Sequence, residues 1–113
     1  MTTNYHTGHN AEKYAADYLK GLGYEIIQLN WKTKYCEIDI VSKKNNTIVF
    51  VEVKYRVTDE QGTGFDYITP KKLRQMARAA EMWVSDNCWE DDYMLAAIEM
   101  DSSGHINYVE IDS

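Results

Sequence analysis

Cysteine is scarce in this 113-residue chain: Cys36 and Cys88 stand alone, with no CxxC pair and no spacing that frames a disulfide or a zinc site. Two reduced thiols in a reducing compartment are the expectation. No apolar run approaches the roughly 18 residues of a membrane span, and Met1–His6 lacks the basic and apolar regions of a secretory signal. A cytoplasmic protein without membrane contact is therefore expected. Internal repeats, low-complexity tracts and linkers are also missing, so residues 1–113 are expected to fold as one domain around one core. Lys and Arg are absent after Arg78: all 12 lie within residues 1–80, whereas the 18 acidic residues divide equally between residues 1–80 and 81–113. The net charge of −6 thus conceals a basic first part and an acidic last third. This asymmetry predicts one basic face and one acidic edge, and it leaves a polyanionic partner open.

What the chain does contain is clear periodicity. Ala11, Tyr14, Ala15, Tyr18, Leu19 and Leu22 recur at helical spacing and predict a helix from about Asn10 to Leu22, with Gly21 and Gly23 as its stop. Tyr24–Trp31 reads as a strand and residues 32–35 as its turn. Glu37–Lys54 reads as two strands around Asn45-Asn46, because asparagine tolerates the positive φ angles of a two-residue hairpin loop. Thr69 and Pro70 have the chemistry of an N-cap and a first helical residue. The helix they open buries Leu73, Met76, Ala77, Ala80, Trp83 and Val84 and ends near Asp86-Asn87. Tyr93–Met100 and Ile106–Ile111 are two further strands. The expected order is α-β-β-β-α-β-β, and the helix between the third and fourth strands implies a parallel pair within a mixed sheet. Val57–Ile68, polar and containing Gly62 and Gly64, is long for a connection. It reads equally as a substrate-contacting loop and as a plain surface segment.

In the hairpin, residues whose numbers sum to 91 are expected to pair, so that Val41 faces Phe50, Asp39 faces Glu52 and Glu37 faces Lys54. The other face carries Ile38, Ile40, Val49, Val51 and Val53, and the run Ile48–Val51 is apolar on both faces, as in a strand covered from both sides. Opposed carboxylates destabilise a ladder unless something offsets their repulsion. One reading is a salt-bridged surface in which Lys54 neutralises Glu37 and Glu52. The other is a divalent cation held by Asp39 and Glu52, the donor set that Mg²⁺ favours when it keeps several waters and takes a substrate phosphate. Lys54 would then orient an attacking water, and Glu12 could approach from the first helix. Lys71, Lys72, Arg74 and Arg78 crowd the start of the second helix, where the macrodipole disfavours cations and a bound phosphate would reverse the cost. His6, His9 and His105 make no metal-ligand array, and Trp31 and Tyr35 read as packing aromatics.

Gly8-x-x-Ala11-Glu12-x-x-Ala15-x-x-Tyr18-Leu19-x-x-x-Gly23-Tyr24, then Asn30, Glu37-Ile38-Asp39-Ile40-Val41, Val49-Phe50-Val51-Glu52-Val53-Lys54-x-Arg56 and Lys71-Lys72 resemble, in order, the YraN-like family. That family is similar to archaeal Holliday junction resolvases, within the restriction-endonuclease-like PD-(D/E)XK nuclease superfamily. The resemblance covers residues 8–84 and implies a helix-first α/β restriction-endonuclease-like core. It implies Asp39, Glu52 and Lys54 as catalytic residues and Glu12, Asp39 and Glu52 around Mg²⁺ or Mn²⁺; Arg56, Lys71 and Lys72 fall in its motifs, and together with Arg74 and Arg78 of the basic second helix they are the expected nucleic-acid contacts. DNA is the implied partner, and a two-fold homodimer would suit symmetric cleavage of a junction. The family usually has Gly before its Glu-Ile-Asp, where this chain has Cys36. Two alternatives stay open: a nucleic-acid-binding accessory module with little or no turnover, and a small interaction domain whose ion pairs are structural.

Overall fold

The computed structural model describes residues 8–56 and 65–111, with side chains from Ala11 onward. The chain runs α1 (Gly8–Gly21), β1 (Glu25–Lys32), β2 (Glu37–Lys44), β3 (Thr47–Arg56), α2 (Pro70–Asp86), β4 (Asp92–Asp101) and β5 (Ile106–Ile111). The five strands form one sheet in the order β1-β2-β3-β4-β5. Every neighbouring pair is antiparallel except β3 and β4, which run parallel from Thr47 beside Asp92 to Arg56 beside Asp101. This is the expected element order and mixed sheet. Within Val57–Ile68, residues 57–64 lie outside the described residues, as does the Met1–His6 segment.

Each helix covers one face of the sheet. Ala11, Ala15, Ala16 and Leu19 of α1 pack on Ile40, Val49, Val51, Ala96, Ile98 and Met100. The alanines keep the helix close to the sheet, since a large stripe would hold the backbones apart. On the other face Met76, Ala79, Ala80 and Trp83 of α2 meet Val41, Ile48, Phe50 and Leu95, and the Trp83 ring stands edge-on to Phe50 with centroids 5.5 Å apart. Ile48–Val51 is accordingly buried on both sides. Two stripe residues differ from the sequence reading. Ala79 joins the α2 core, and Leu22 is 43% exposed because α1 ends before it.

Local chemistry explains the boundaries. At the α1 terminus Gly23 N–H bonds Lys20 O and Tyr24 N–H bonds Leu19 O, both at 3.0 Å, the paired closure of a helix whose next residue is left-handed. Gly23 is that residue, with φ +96. Thr69 caps α2, its hydroxyl accepting the Lys72 N–H at 3.1 Å, and Pro70 follows as the first helical residue. Asn45 and Asn46 take φ 53 and 65, giving the two-residue hairpin and the register Lys44↔Thr47, Val41↔Phe50 and Ile40↔Val51.

The two glycines at the end of α1 make opposite demands. An added Cβ at Gly23 meets only the Lys44 side chain, at 3.7 Å, so Gly23→Ala is strained by its backbone alone and is expected to destabilise by about 1–2 kcal/mol. Gly21 is helical with open space around it, so Gly21→Ala is expected to stabilise by about 0.5–1 kcal/mol. Urea denaturation of the two variants checks the opposite signs; equal effects would remove the assignment of Gly23 as the left-handed cap.

Candidate functional site

The β2–β3 ladder ends at Ile40↔Val51. Beyond it β2 stays paired with β1 as far as Glu37, while β3 stays with β4 as far as Arg56. The expected cross-strand pairs Asp39–Glu52 and Glu37–Lys54 therefore do not form as ladder pairs, and the two strands part where their carboxylates would have been opposed. Asp39 bridges the opening: its Oδ2 accepts the Val53 N–H at 2.8 Å. Strict alternation also breaks here. Ile38 packs with the α2-side cluster rather than beside Ile40, and Asn30, which lies between Leu29 (partner of Ile40) and Trp31 (partner of Ile38), is left-handed at φ 54. The expectation that Ile38 shares the aliphatic face is corrected accordingly.

The opening faces a cleft of about 290 Å³ lined by Tyr35, Cys36, Glu37, Glu52, Lys72, Gln75, Met76 and Arg78. Lys72, Gln75 and Arg78 recur every three residues, so one face of α2 forms a wall. Cys36, just before β2, also lines the cleft, its thiol 3.3 Å from Met82 Sδ of α2, where glycine would leave only backbone. Tyr35 does not pack as its sequence context suggested; it is 78% exposed at the cleft mouth.

Electrostatics tie the carboxylates together. Asp39 is pushed from 3.8 up to about 7, by burial first, then by the charge of Glu52, with smaller contributions from Glu12 and Glu37 against the lowering Val53 hydrogen bond. Glu12, Glu37 and Glu52 are thus each brought within electrostatic reach of Asp39. Glu12 Oε1 is shielded from solvent. Among the described residues, no three Asp, Glu, His or Cys side chains are arranged to enclose an ion. A pair of hard oxygen donors in a repulsive, half-buried cluster suits a hydrated Mg²⁺ or Mn²⁺, which takes one or two carboxylates, waters and a phosphate. It does not suit an all-protein cage.

The basic residues divide. Lys72 Nζ meets Glu52 Oε2 at 2.8 Å, the ion pair that the sequence reading gave to Lys54. Burial opposes the Lys72 charge, yet its pKa is raised by the hydrogen bond and charge of Glu52 and by Asp39 and Glu37. Lys54 is exposed, its ammonium 5.7 Å from the Tyr67 ring centroid. The Arg56 guanidinium pairs with Glu99, a carboxylate on β4 that is only 5% exposed, so Arg56 is engaged inside the fold rather than projecting to a ligand. Lys71, Arg74 and Arg78 are exposed on α2, with Arg78 on the cleft wall. The acidic last third does not gather on one edge: Glu90, Asp91 and Asp92 lie at the hairpin end of the sheet, whereas Glu99 turns inward. Sequence reasoning missed Tyr67 as well, whose hydroxyl is buried with no hydrogen-bond partner among the described residues and whose pKa is raised by burial and then by Glu52. A lone tyrosine in a polar segment carried no signal of that position.

The Asp39 shift fixes a sign. An acid whose pKa rises on folding favours the folded state in its protonated form, so its cost is absent below about pH 4 and complete above about pH 7. Asp39→Asn keeps an acceptor for the Val53 N–H and removes the charge. It is expected to raise Tm by several degrees at pH 8 and by less at pH 5. Thermal unfolding at the two values decides, and a gain that does not change with pH would remove the assigned repulsion.

Sequence comparison sets this site in a family. The model described as "Uncharacterised protein family UPF0102" matches residues 11–111, which spans both helices and the whole sheet. A UPF0102 protein of Mycolicibacterium gilvum is 37% identical over 106 residues, covering 88% of this chain and 86% of the relative. One from Vibrio parahaemolyticus is 35% identical over 106 residues, covering 91% and 88%. Another, from Mycolicibacterium vanbaalenii, is 39% identical over 74 residues, or 66% of this chain, which spans 61% of that relative. The chain belongs to the UPF0102 (YraN-like) family.

Proposed function

We propose that the protein is a metal-dependent endonuclease that hydrolyses phosphodiester bonds in DNA. The observation that carries this reading is the parting of β2 and β3 around Asp39 and Glu52, with Asp39 held near pKa 7 by burial and by neighbouring carboxylates. Such a cluster is costly as it stands and is relieved by a divalent cation. Bound there, Mg²⁺ or Mn²⁺ would polarise a phosphate and lower the pKa of a coordinated water.

The chain's own residues supply the rest. Asp39 and Glu52 would be the donors, and the Val53 N–H fixes the Asp39 carboxylate through Oδ2. Lys54, two residues beyond Glu52 on β3, carries an exposed ammonium suited to orienting the attacking water and offsetting charge on the phosphate. Lys71, Lys72, Arg74 and Arg78 on α2 would meet the phosphate backbone, which positions a duplex or strand without reading its sequence. Tyr35, exposed at the cleft mouth, offers a ring on which an unpaired base can stack. This favours junction, flap or single-stranded substrates over an intact duplex.

The Lys72–Glu52 ion pair favours a second reading, because an acid already neutralised has less need of a metal. On that reading the protein binds nucleic acid without turnover.

Cleavage of junction, flap and single-stranded oligonucleotides with Mg²⁺ and with Mn²⁺ separates the two. Wild type is expected to cut at least one of them, with Asp39→Asn reducing the rate more than about 100-fold and Lys54→Ala by about 10²–10³-fold. Binding with no cleavage under either cation would establish the accessory module instead, and cleavage undiminished in Asp39→Asn would point to a different site.

A further inference from the structure

Lys72 belongs to two surfaces at once. It is the third residue of α2, held by its N–H to the Thr69 hydroxyl, and its ammonium lies 2.8 Å from Glu52 Oε2. It also lines the cleft, on the same helical face as Gln75 and Arg78, opposite Glu37 and Glu52. The ammonium is thus the counter-ion of Glu52 in the free protein. A divalent cation at Asp39 and Glu52 would compete with it for the same oxygen and add like-charge repulsion at close range. A phosphate entering the cleft offers the ammonium another partner, on the wall that also presents Arg78.

We infer that Lys72 is a shared counter-ion, neutralising Glu52 in the free protein and transferring to a nucleic-acid phosphate in the complex, so that cation binding at Asp39 and Glu52 and nucleic-acid binding in the cleft strengthen each other. The inference rests on reading that pair as a cation site. It adds an order to events: the cation binds weakly until a phosphate chain is seated, which limits hydrolysis to engaged substrate. Reciprocity is required thermodynamically, since each ligand must change the other's affinity by one common factor. Removing the Lys72 charge therefore has two opposite consequences. The free protein binds cation more tightly, because the competitor is gone, and the coupling collapses, because nothing remains to transfer.

Lys72→Met keeps the aliphatic stem and removes the charge; Lys72→Arg keeps the charge. Mn²⁺ titrated into each free protein by calorimetry reads the first consequence. Oligonucleotide anisotropy with and without Ca²⁺, at constant ionic strength, reads the second. Wild type is expected to gain about 5-fold or more in oligonucleotide affinity on adding Ca²⁺, within the usual range of coupling. Lys72→Met is expected to bind Mn²⁺ about 10-fold more tightly than wild type, a difference of about 1.4 kcal/mol, and to show less than 2-fold stimulation by Ca²⁺. Lys72→Arg is expected to follow wild type in both. Equal Mn²⁺ affinity in wild type and Lys72→Met overturns the shared counter-ion while leaving the cation site standing. Absence of Mn²⁺ binding in all three overturns the cation site and this inference together. Should Lys72→Met fail to give the wild-type circular dichroism spectrum, Lys72→Gln replaces it with the same expected outcomes.

Discussion

Asp39 accepts the Val53 N–H at 2.8 Å, serving a β3 donor at a point where the β2–β3 ladder has already ended, past Ile40 and Val51. A backbone N–H left without a partner in a half-buried position costs roughly as much as a lost hydrogen bond. A side-chain carboxylate standing in for a backbone carbonyl is therefore the condition on which the strands can part. Once they part, β2 is carried by β1 and β3 by β4, and neither unravels. In the gap between them polar side chains replace the ladder, and it faces the cleft lined by Glu37, Glu52 and the α2 wall. The same hydrogen bond lowers the Asp39 pKa against burial and three neighbouring acids. It stabilises the charged form that a cation site requires, at the position where that form is most costly.

What could be read from the sequence follows the range over which each cause acts. Asn45-Asn46 set the hairpin register because a two-residue loop with two positive φ angles fixes which residues face each other within a few positions. Thr69-Pro70 set the start of α2, and the double-faced apolar run at Ile48–Val51 placed β3 in the centre, for equally local reasons. The readings that changed depend on distant partners. Asp39 and Glu52 do lie together, but apart from the ladder, because pairing β2 with β1 and β3 with β4 outweighs extending a register that opposes like charges. Ile38 turns to the α2 side where Asn30, on another strand, breaks the pleat. Arg56 finds Glu99 across 43 residues and Lys72 finds Glu52 across 20, and no spacing rule reaches so far. A motif names which residues meet, whereas the fold decides which of them are already paired.

Charge is distributed along the sheet direction as much as between faces. Thr47 lies beside Asp92 at one end and Arg56 beside Asp101 at the other, so the exposed run Glu90–Asp92 sits beside the start of β3. Glu52 is about 16 Å further along that strand. The cations of α2 cluster in its first half, beside the cleft, while Glu81 and Asp86 follow in its second half. Lys43 and Lys44 lie at the same hairpin end as Glu90–Asp92, and Glu37 and Glu52 line the cleft, so each end carries charges of both signs. Neighbouring charges of opposite sign largely cancel beyond a Debye length of about 8–10 Å at physiological salt.

The start of α2 breaks a local rule: Pro70 is followed by Lys71 and Lys72, with no acidic residue in the first turn. At a helix N-terminus each cation faces the positive end of the macrodipole, at about 0.3–1 kcal/mol when exposed. For Lys72 the compensation is visible, since Glu52 holds its ammonium at 2.8 Å and the pairing outweighs the burial that opposes its charge. Lys71 and Arg74 stay exposed on the same turns. Their cost is small in water and screened by salt, but it is reversed only by an anion arriving from outside. The start of this helix is therefore a place where nearby negative charge is stabilising. Glu52 supplies such a charge through Lys72: the pair offsets the acid and leaves the positive end of the helix less opposed.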